Sequence, residues 1–261
     1  MNKNYTLKNL FDISYHKVLL TGANGQLGME ICEALLDLGA EVYAIDKTLS
    51  NIEKIETRKL KKFKLDITNK GELEGLFTFL KKKNINLTAL INNAAVSFFS
   101  PFKKRTDYEL DNTYNVNIKA PIKLIQNFLK LKNQLKEHRK IINIASIYGN
   151  VSPNFSIYEK NDRRNSEIYG ASKAALIQLT KYFSTMSKKE KILVNAIAPG
   201  GIFNIKSPQS KSFIKKYSSL CPLKRLANTR EMIGIIIYLL SESSSYTNGQ
   251  TIMIDGGYSS W

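Results

Sequence analysis

Tyr169 and Lys173 stand four residues apart in the run Tyr169-Gly170-Ala171-Ser172-Lys173. On a helix this spacing puts both side chains on one face. An ammonium beside a phenol favours the phenolate, lowering its pKa from about 10 toward neutrality. A tyrosine so tuned serves as a general acid or base. The pair alone is common on helices, so its company matters. Asn117 stands in Val116-Asn117, Ser146 in Asn143-Ile144-Ala145-Ser146-Ile147-Tyr148-Gly149, and Pro199-Gly200-Gly201-Ile202 follows an apolar run.

A second constellation lies near the N-terminus. Glycines 22, 25 and 28 fall in a turn that also holds Thr21, Asn24, Gln26 and Leu27. An apolar run precedes the turn and a helical pattern follows it, the context a dinucleotide site requires. Missing Cβ atoms let backbone approach a pyrophosphate, and the helix start offers free N–H groups and a positive dipole end. Asp46 lies 18 residues past Gly28, at the end of the next apolar run. A carboxylate there accepts from the adenosine ribose hydroxyls and repels a 2′-phosphate, favouring NAD over NADP. Lys47 beside it works against that preference. Asp66 and Ile67 end a third run, and Asn93, Ala94 and Ala95 close a fourth, all at the expected ligand edge.

These residues need a scaffold, and the hydropathy pattern describes one. Strands are predicted at 18–21, 41–45, 63–65, 88–91, 141–145, 193–197 and 252–254. Helices are predicted at 26–38, near 70–82, over 107–135 with a kink at Pro121, and at 169–188 and 229–240. Continuous apolar strands alternating with helices predict an α/β fold in one domain: a doubly wound parallel sheet of about seven strands with helices on both faces. No repeat or linker breaks the 261 residues.

Composition sets limits. The net charge is +17, but it rests on 32 Lys and only 7 Arg. Lys, Ile and Asn make up 85 of the 261 residues, and AT-rich codons encode all three. Nucleic-acid readers favour Arg, and no basic run is interleaved with aromatics. The charge therefore reads as a solvated surface, not a nucleic-acid footprint. The longest apolar run, residues 232–240, is too short to span a membrane. Two cysteines and an N-terminus without an apolar leader predict a reduced, cytoplasmic protein. His16 and His138 are the only histidines and lie in polar sequence surroundings, so no metal site is expected.

Taken in order, these motifs resemble the short-chain dehydrogenase/reductase family, in its single-domain, Rossmann-type branch. The glycine turn, Asp66, Asn92-Asn93-Ala94, the Asn117–Ser146–Tyr169–Lys173 tetrad, Pro199-Gly200 and Asp255-Gly256-Gly257 cover nearly the whole chain. The resemblance implies an NAD(P)-dependent oxidoreductase acting on a carbonyl/alcohol pair of a small molecule. It implies that Tyr169 exchanges the proton and Lys173 tunes Tyr169 and bonds the nicotinamide ribose. Ser146 would hold the substrate oxygen, and Asn117 a proton-relaying water. Pro199, Gly200 and Ile202 would meet the nicotinamide end of the cofactor. It also implies a homodimer or homotetramer packed through residues 249–257.

Three departures are visible. Gln26 stands where single-domain members more often have the middle glycine. The gap from Ser146 to Tyr169 is 23 residues, wider than the usual pattern. Asn204 replaces a frequent Thr. Residues 1–15 read as an N-terminal extension, 150–168 as an inserted active-site loop and 203–226 as a substrate-covering segment. The inserted loop is similar to bacterial members tied to flagellin or surface-polysaccharide sugar synthesis. That similarity implies a sugar or sugar phosphate met by Ser146, Tyr148, Arg163 and Arg164. A 3-oxoacyl-carrier-protein reductase is the rival enzyme, and a cofactor-sensing regulator or nucleic-acid binder the rival of another class.

Overall fold

The computed structural model describes residues 6–132, 138–158, 164–206 and 208–260. The apolar runs form β1 (Lys17–Thr21), β2 (Glu41–Asp46), β3 (Leu60–Lys64), β4 (Ala89–Asn92), β5 (Arg139–Ile144), β6 (Ile192–Pro199) and β7 (Thr251–Ile254). They pair in parallel in the order β3-β2-β1-β4-β5-β6-β7. The helices are α1 (Leu7–Leu10), α2 (Gln26–Asp37), α3 (Lys70–Lys82), α4 (Asp107–Tyr114), α5 (Ala120–Lys130), α6 (Glu167–Ser184), α7 (Ser187–Glu190), α8 (Lys211–Leu220) and α9 (Ile233–Leu240).

Successive strand residues face opposite layers. Val18, Leu20, Val42 and Ala44 pack with Ile31 and Leu35 of α2 and Ile236 and Leu239 of α9. Leu19, Tyr43, Ile45 and Leu90 pack with Leu76 and Leu80 of α3 and Leu124 and Phe128 of α5. Both faces are covered, which is why the strands read as unbroken apolar runs. The chain runs outward from β1 to β3 and then returns to β4 on the other side. The crevice between the carboxyl ends of β1 and β4 is thus the topological switch point, where such sheets bind ligands.

Several predicted boundaries shift. β3 opens at Leu60, not Phe63. The long helix is two α-helices joined by a π-helical turn, Asn115–Lys119, in which the Ala120 N–H reaches back to the Asn115 carbonyl. Pro121 has no N–H to return to Asn117 four residues earlier, so the ladder widens there. The predicted stretch beyond 132 lies outside the described residues. α6 starts at Glu167 because the Ser166 hydroxyl caps it.

The named segments also gain content. Within 1–15, Ile13 is buried in the core. The 150–168 loop holds a 3-10 turn, Phe155–Ile157, and 203–226 contains α8, which the hydropathy pattern did not single out. His16 corrects the sequence reading of polar surroundings: it is buried, hydrogen-bonded to the Thr88 hydroxyl and the Leu240 carbonyl, both 2.8 Å away. Among the described residues, no helix is long and apolar enough to cross a membrane, and no group of three His, Cys, Asp or Glu side chains is arranged to hold a metal.

Candidate active site

The β1–α2 turn is built for close approach. Gly22 adopts φ +66°, and a Cβ there would stand 2.8 Å from the Ala94 Cα. A Cβ on Gly28 would land on the Gly22 carbonyl oxygen. Gly25 is the N-cap of α2 and has no side chain to occupy the first-turn amides, so they remain open to an anion. Gly22, Gly25, Gly28, Asp46, Ile67 and Ala94 line a cavity of about 380 Å³, with Leu27, Lys47, Asn93 and Ala95 also on its wall. Its open helix start and glycine-lined backbone fit a pyrophosphate, and Asp46 at its β2 end fits a ribose diol.

Three residues expected at this cofactor site are engaged elsewhere. The Thr21 hydroxyl accepts from the Asn93 and Ala94 N–H groups at 3.1 Å, fixing the end of β4 beside the turn. The Asn24 side chain accepts from the Asn51 and Ile52 N–H groups and donates to the Thr48 hydroxyl, anchoring the loop after β2. Gln26 spans to the 203–205 segment, donating to the Phe203 carbonyl and accepting from the Ile205 N–H. Lys47 pairs with Asp66 at 2.8 Å, which draws it off Asp46. Asp46 accepts from the Asn24 and Thr48 N–H groups.

Past the ends of β5 and β6 lies a second cavity, about 450 Å³ in volume. Ser146, Tyr148, Tyr169, Gly200 and Ile202 all line it. The Ser166 cap holds Tyr169 in the first turn of α6. Burial raises the Tyr169 pKa, and a hydrogen bond with Ser146 acts the other way. Lys173 stands one turn on, buried, with Nζ 2.7 Å from the Ile144 carbonyl and 5.6 Å from the Tyr169 ring centroid. Burial lowers its own pKa to about 8. Burial thus moves the Tyr169 pKa upward, opposite to the direction that helical spacing with Lys173 predicts.

Asn117 ties this group together from the π-helical turn. Its Oδ1 accepts from the Val96 N–H at 2.9 Å, and its Nδ2 donates to the Ser172 hydroxyl at 3.0 Å. Ser172 in turn donates to the Tyr169 carbonyl. The four tetrad residues, scattered over the sequence, thus gather around one end of the second cavity. Pro199 ends β6 and lines neither cavity.

Arg164 corrects another expectation. It stacks over the Phe155 ring, 4.9 Å from its centroid, and lines a neighbouring groove with Lys103, Lys104 and Arg105 instead of the tyrosine cavity. Arg163 lies outside the described residues. Ser97, Asn165, Phe213 and Tyr217 line the tyrosine cavity and were not singled out from sequence. Only the fold brings them there, from two separate loops and from α8.

The family model described as Enoyl-(Acyl carrier protein) reductase matches residues 22–259. The chain belongs to the short-chain dehydrogenase/reductase family. A crystal structure of a short-chain dehydrogenase from Leptospira borgpetersenii with bound NAD+ superposes with TM-score 0.89 at 33% identity, covering 99% of this chain and 98% of that one. L-xylulose reductase of Caenorhabditis elegans is 29% identical over 95% of this chain and 98% of its own length. Post-translational flagellin modification protein A of Campylobacter coli is 26% identical over 92% of this chain and 97% of its own length. The chain is an NAD(P)-dependent oxidoreductase acting on CH–OH groups of a small molecule.

Proposed function

We propose that this enzyme interconverts a carbonyl and a secondary alcohol on a sugar or sugar phosphate, with Tyr169 handling the proton. The observation that carries the reading is the meeting of Ser146 and Tyr169 on one cavity wall, with Lys173 and Asn117 directly behind. When bound, NAD supplies or accepts the hydride. Tyr169 gives its proton to the substrate oxygen in reduction and takes it back in oxidation. Ser146 donates a hydrogen bond to that oxygen as its negative charge grows, where a fixed dipole acts most strongly. Lys173 restores the Tyr169 proton, and Asn117 fixes the α6 turn that carries both.

The glycine turn and the α2 start would hold the pyrophosphate, and Asp46 the adenosine ribose. Its carboxylate disfavours a 2′-phosphate, so NAD is preferred to NADP. The sugar assignment draws support from the L-xylulose reductase relative. The enzyme is assigned to the cytoplasm as a homodimer or homotetramer, and half-buried Ile233, Ile235 and Ile237 of α9 with the half-buried edge strand β7 support the assembly.

A NADH-absorbance screen over hexose phosphates, nucleotide sugars, amino sugars, free sugars and 3-oxoacyl thioesters, with NADP(H) in parallel, tests the reading. Turnover of a sugar with NAD preferred is expected. Turnover confined to an acyl thioester with NADPH would assign the chain to the carrier-protein reductases instead.

A further inference from the structure

The tyrosine cavity contrasts with the rest of the molecule. The protein carries a net charge of +17, yet among the described residues no Lys, Arg, Asp or Glu lines this cavity. A phosphate or carboxylate entering it would lose its water without gaining a partner of opposite charge, a costly exchange. A basic cluster around Arg164 opens into the adjoining groove.

The cavity's neutral polar groups point to what it does receive. Ser97 Oγ and Asn165 Oδ1 are buried and have no hydrogen-bond partner among the described residues. Both residues line the same cavity as Tyr169. Native proteins leave few buried polar atoms unpaired, so two beside one cavity mark places for ligand groups. An amide oxygen accepts only, and a hydroxyl both gives and accepts, so the matching groups are hydroxyls. Part of the lining is aromatic: the rings of Tyr158, Phe213 and Tyr217 follow one another with centroids 5.6 and 5.9 Å apart. Such a wall suits the C–H faces of a carbon chain or ring and not a charged group.

We propose that the substrate is a neutral polyhydroxylated compound, an alditol, ketose or unphosphorylated sugar, whose non-reacting hydroxyls bond Ser97 and Asn165; this rests on the hydride-transfer reading above. The two residues determine specificity and do not touch the reacting atoms. A site built to bond a hydroxyl discriminates strongly against a substrate lacking it.

The test uses the full-length enzyme with NAD+ and three substrate sets: C4 to C6 alditols with hexopyranosides, their monophosphates, and 2-butanol. At least one neutral polyol is expected to exceed its own phosphate about tenfold or more in kcat/KM. Ser97→Ala and Asn165→Ala are expected to raise KM for that polyol about tenfold each, with kcat nearly unchanged and 2-butanol kinetics unaltered. Ser97→Thr, which keeps the hydroxyl, should recover most of the loss. NAD affinity and melting temperature confirm that each variant is folded. Preference for the phosphate, oxidation of 2-butanol but no polyol, or equal loss on both substrates in the variants would overturn the proposal. Failure of every alcohol, 2-butanol included, would instead sink the hydride-transfer reading, and this inference with it.

Discussion

The side-chain amide of Gln26 donates to the Phe203 carbonyl at 2.8 Å while its oxygen accepts from the Ile205 N–H at 3.0 Å. One residue of the cofactor turn therefore holds the start of the segment that walls the substrate cavity. Asn204 lines that cavity, and Gln209, on its rim, bonds the Ile202 carbonyl and the Asn204 N–H. A glycine, which the family resemblance leads one to expect at this position, has no side chain to reach across.

Gln26→Ala removes two hydrogen bonds from the 203–205 segment and none from the cofactor cradle. KM for substrate is expected to rise about fivefold to tenfold, with the Kd for NAD changed by less than about twofold. Steady-state kinetics and NAD titration measure the two. A matching loss of NAD affinity would return Gln26 to the cofactor site.

Two glycines in helical segments should respond in opposite ways. Gly28→Ala drives a methyl onto the Gly22 carbonyl and distorts the cradle, so NAD affinity should fall by about a hundredfold or the melting temperature should drop sharply. Gly75→Ala meets nothing within 4 Å on α3 and should stabilise the fold by about 0.5–1 kcal/mol. Thermal unfolding and NAD titration of both variants decide the comparison.

His16 predicts an acid sensitivity far from the active site. It joins the amino ends of β1 and β4 to α9, with its Nε2–H given to the Leu240 carbonyl. Lys140, buried and bonded to the Ser241 carbonyl, and Asp12 are the charged groups acting on it. Burial lowers its pKa from 6.5 to about 4. The unfolded chain then binds the proton more readily between these values, so neutral His16 supports the fold fully above about pH 6.5. That support fades as pH falls toward 4, by on the order of 3 kcal/mol. Denaturant unfolding from pH 7.5 to 4.5 should show a slope that His16→Gln flattens. An unchanged slope would remove His16 as the cause.

Much of this was legible in the sequence, for physical reasons. Strands buried on both faces leave unbroken apolar runs, and Gly28 is demanded by contacts within one local turn, while Gly22 answers both to its positive φ and to the Ala94 backbone. Tyr169 and Lys173 are joined by helical spacing alone. What escaped depends on distant partners. The burial of His16 depends on Thr88 and Leu240, and the reach of Gln26 on a segment nearly 180 residues later. Ser97 and Asn165 are ordinary polar residues until the fold places both on one cavity wall. The Tyr169 shift runs upward because of burial, which a spacing rule does not see, against a hydrogen bond with Ser146.

The central claim, that Tyr169 exchanges the proton with the substrate oxygen, meets its most direct test in Tyr169→Phe. The phenyl ring keeps the packing of α6 and removes only the hydroxyl. The account predicts a fall in kcat of about a thousandfold, with the Kd for NAD within about threefold of the parent. A variant retaining kcat within about tenfold would contradict it.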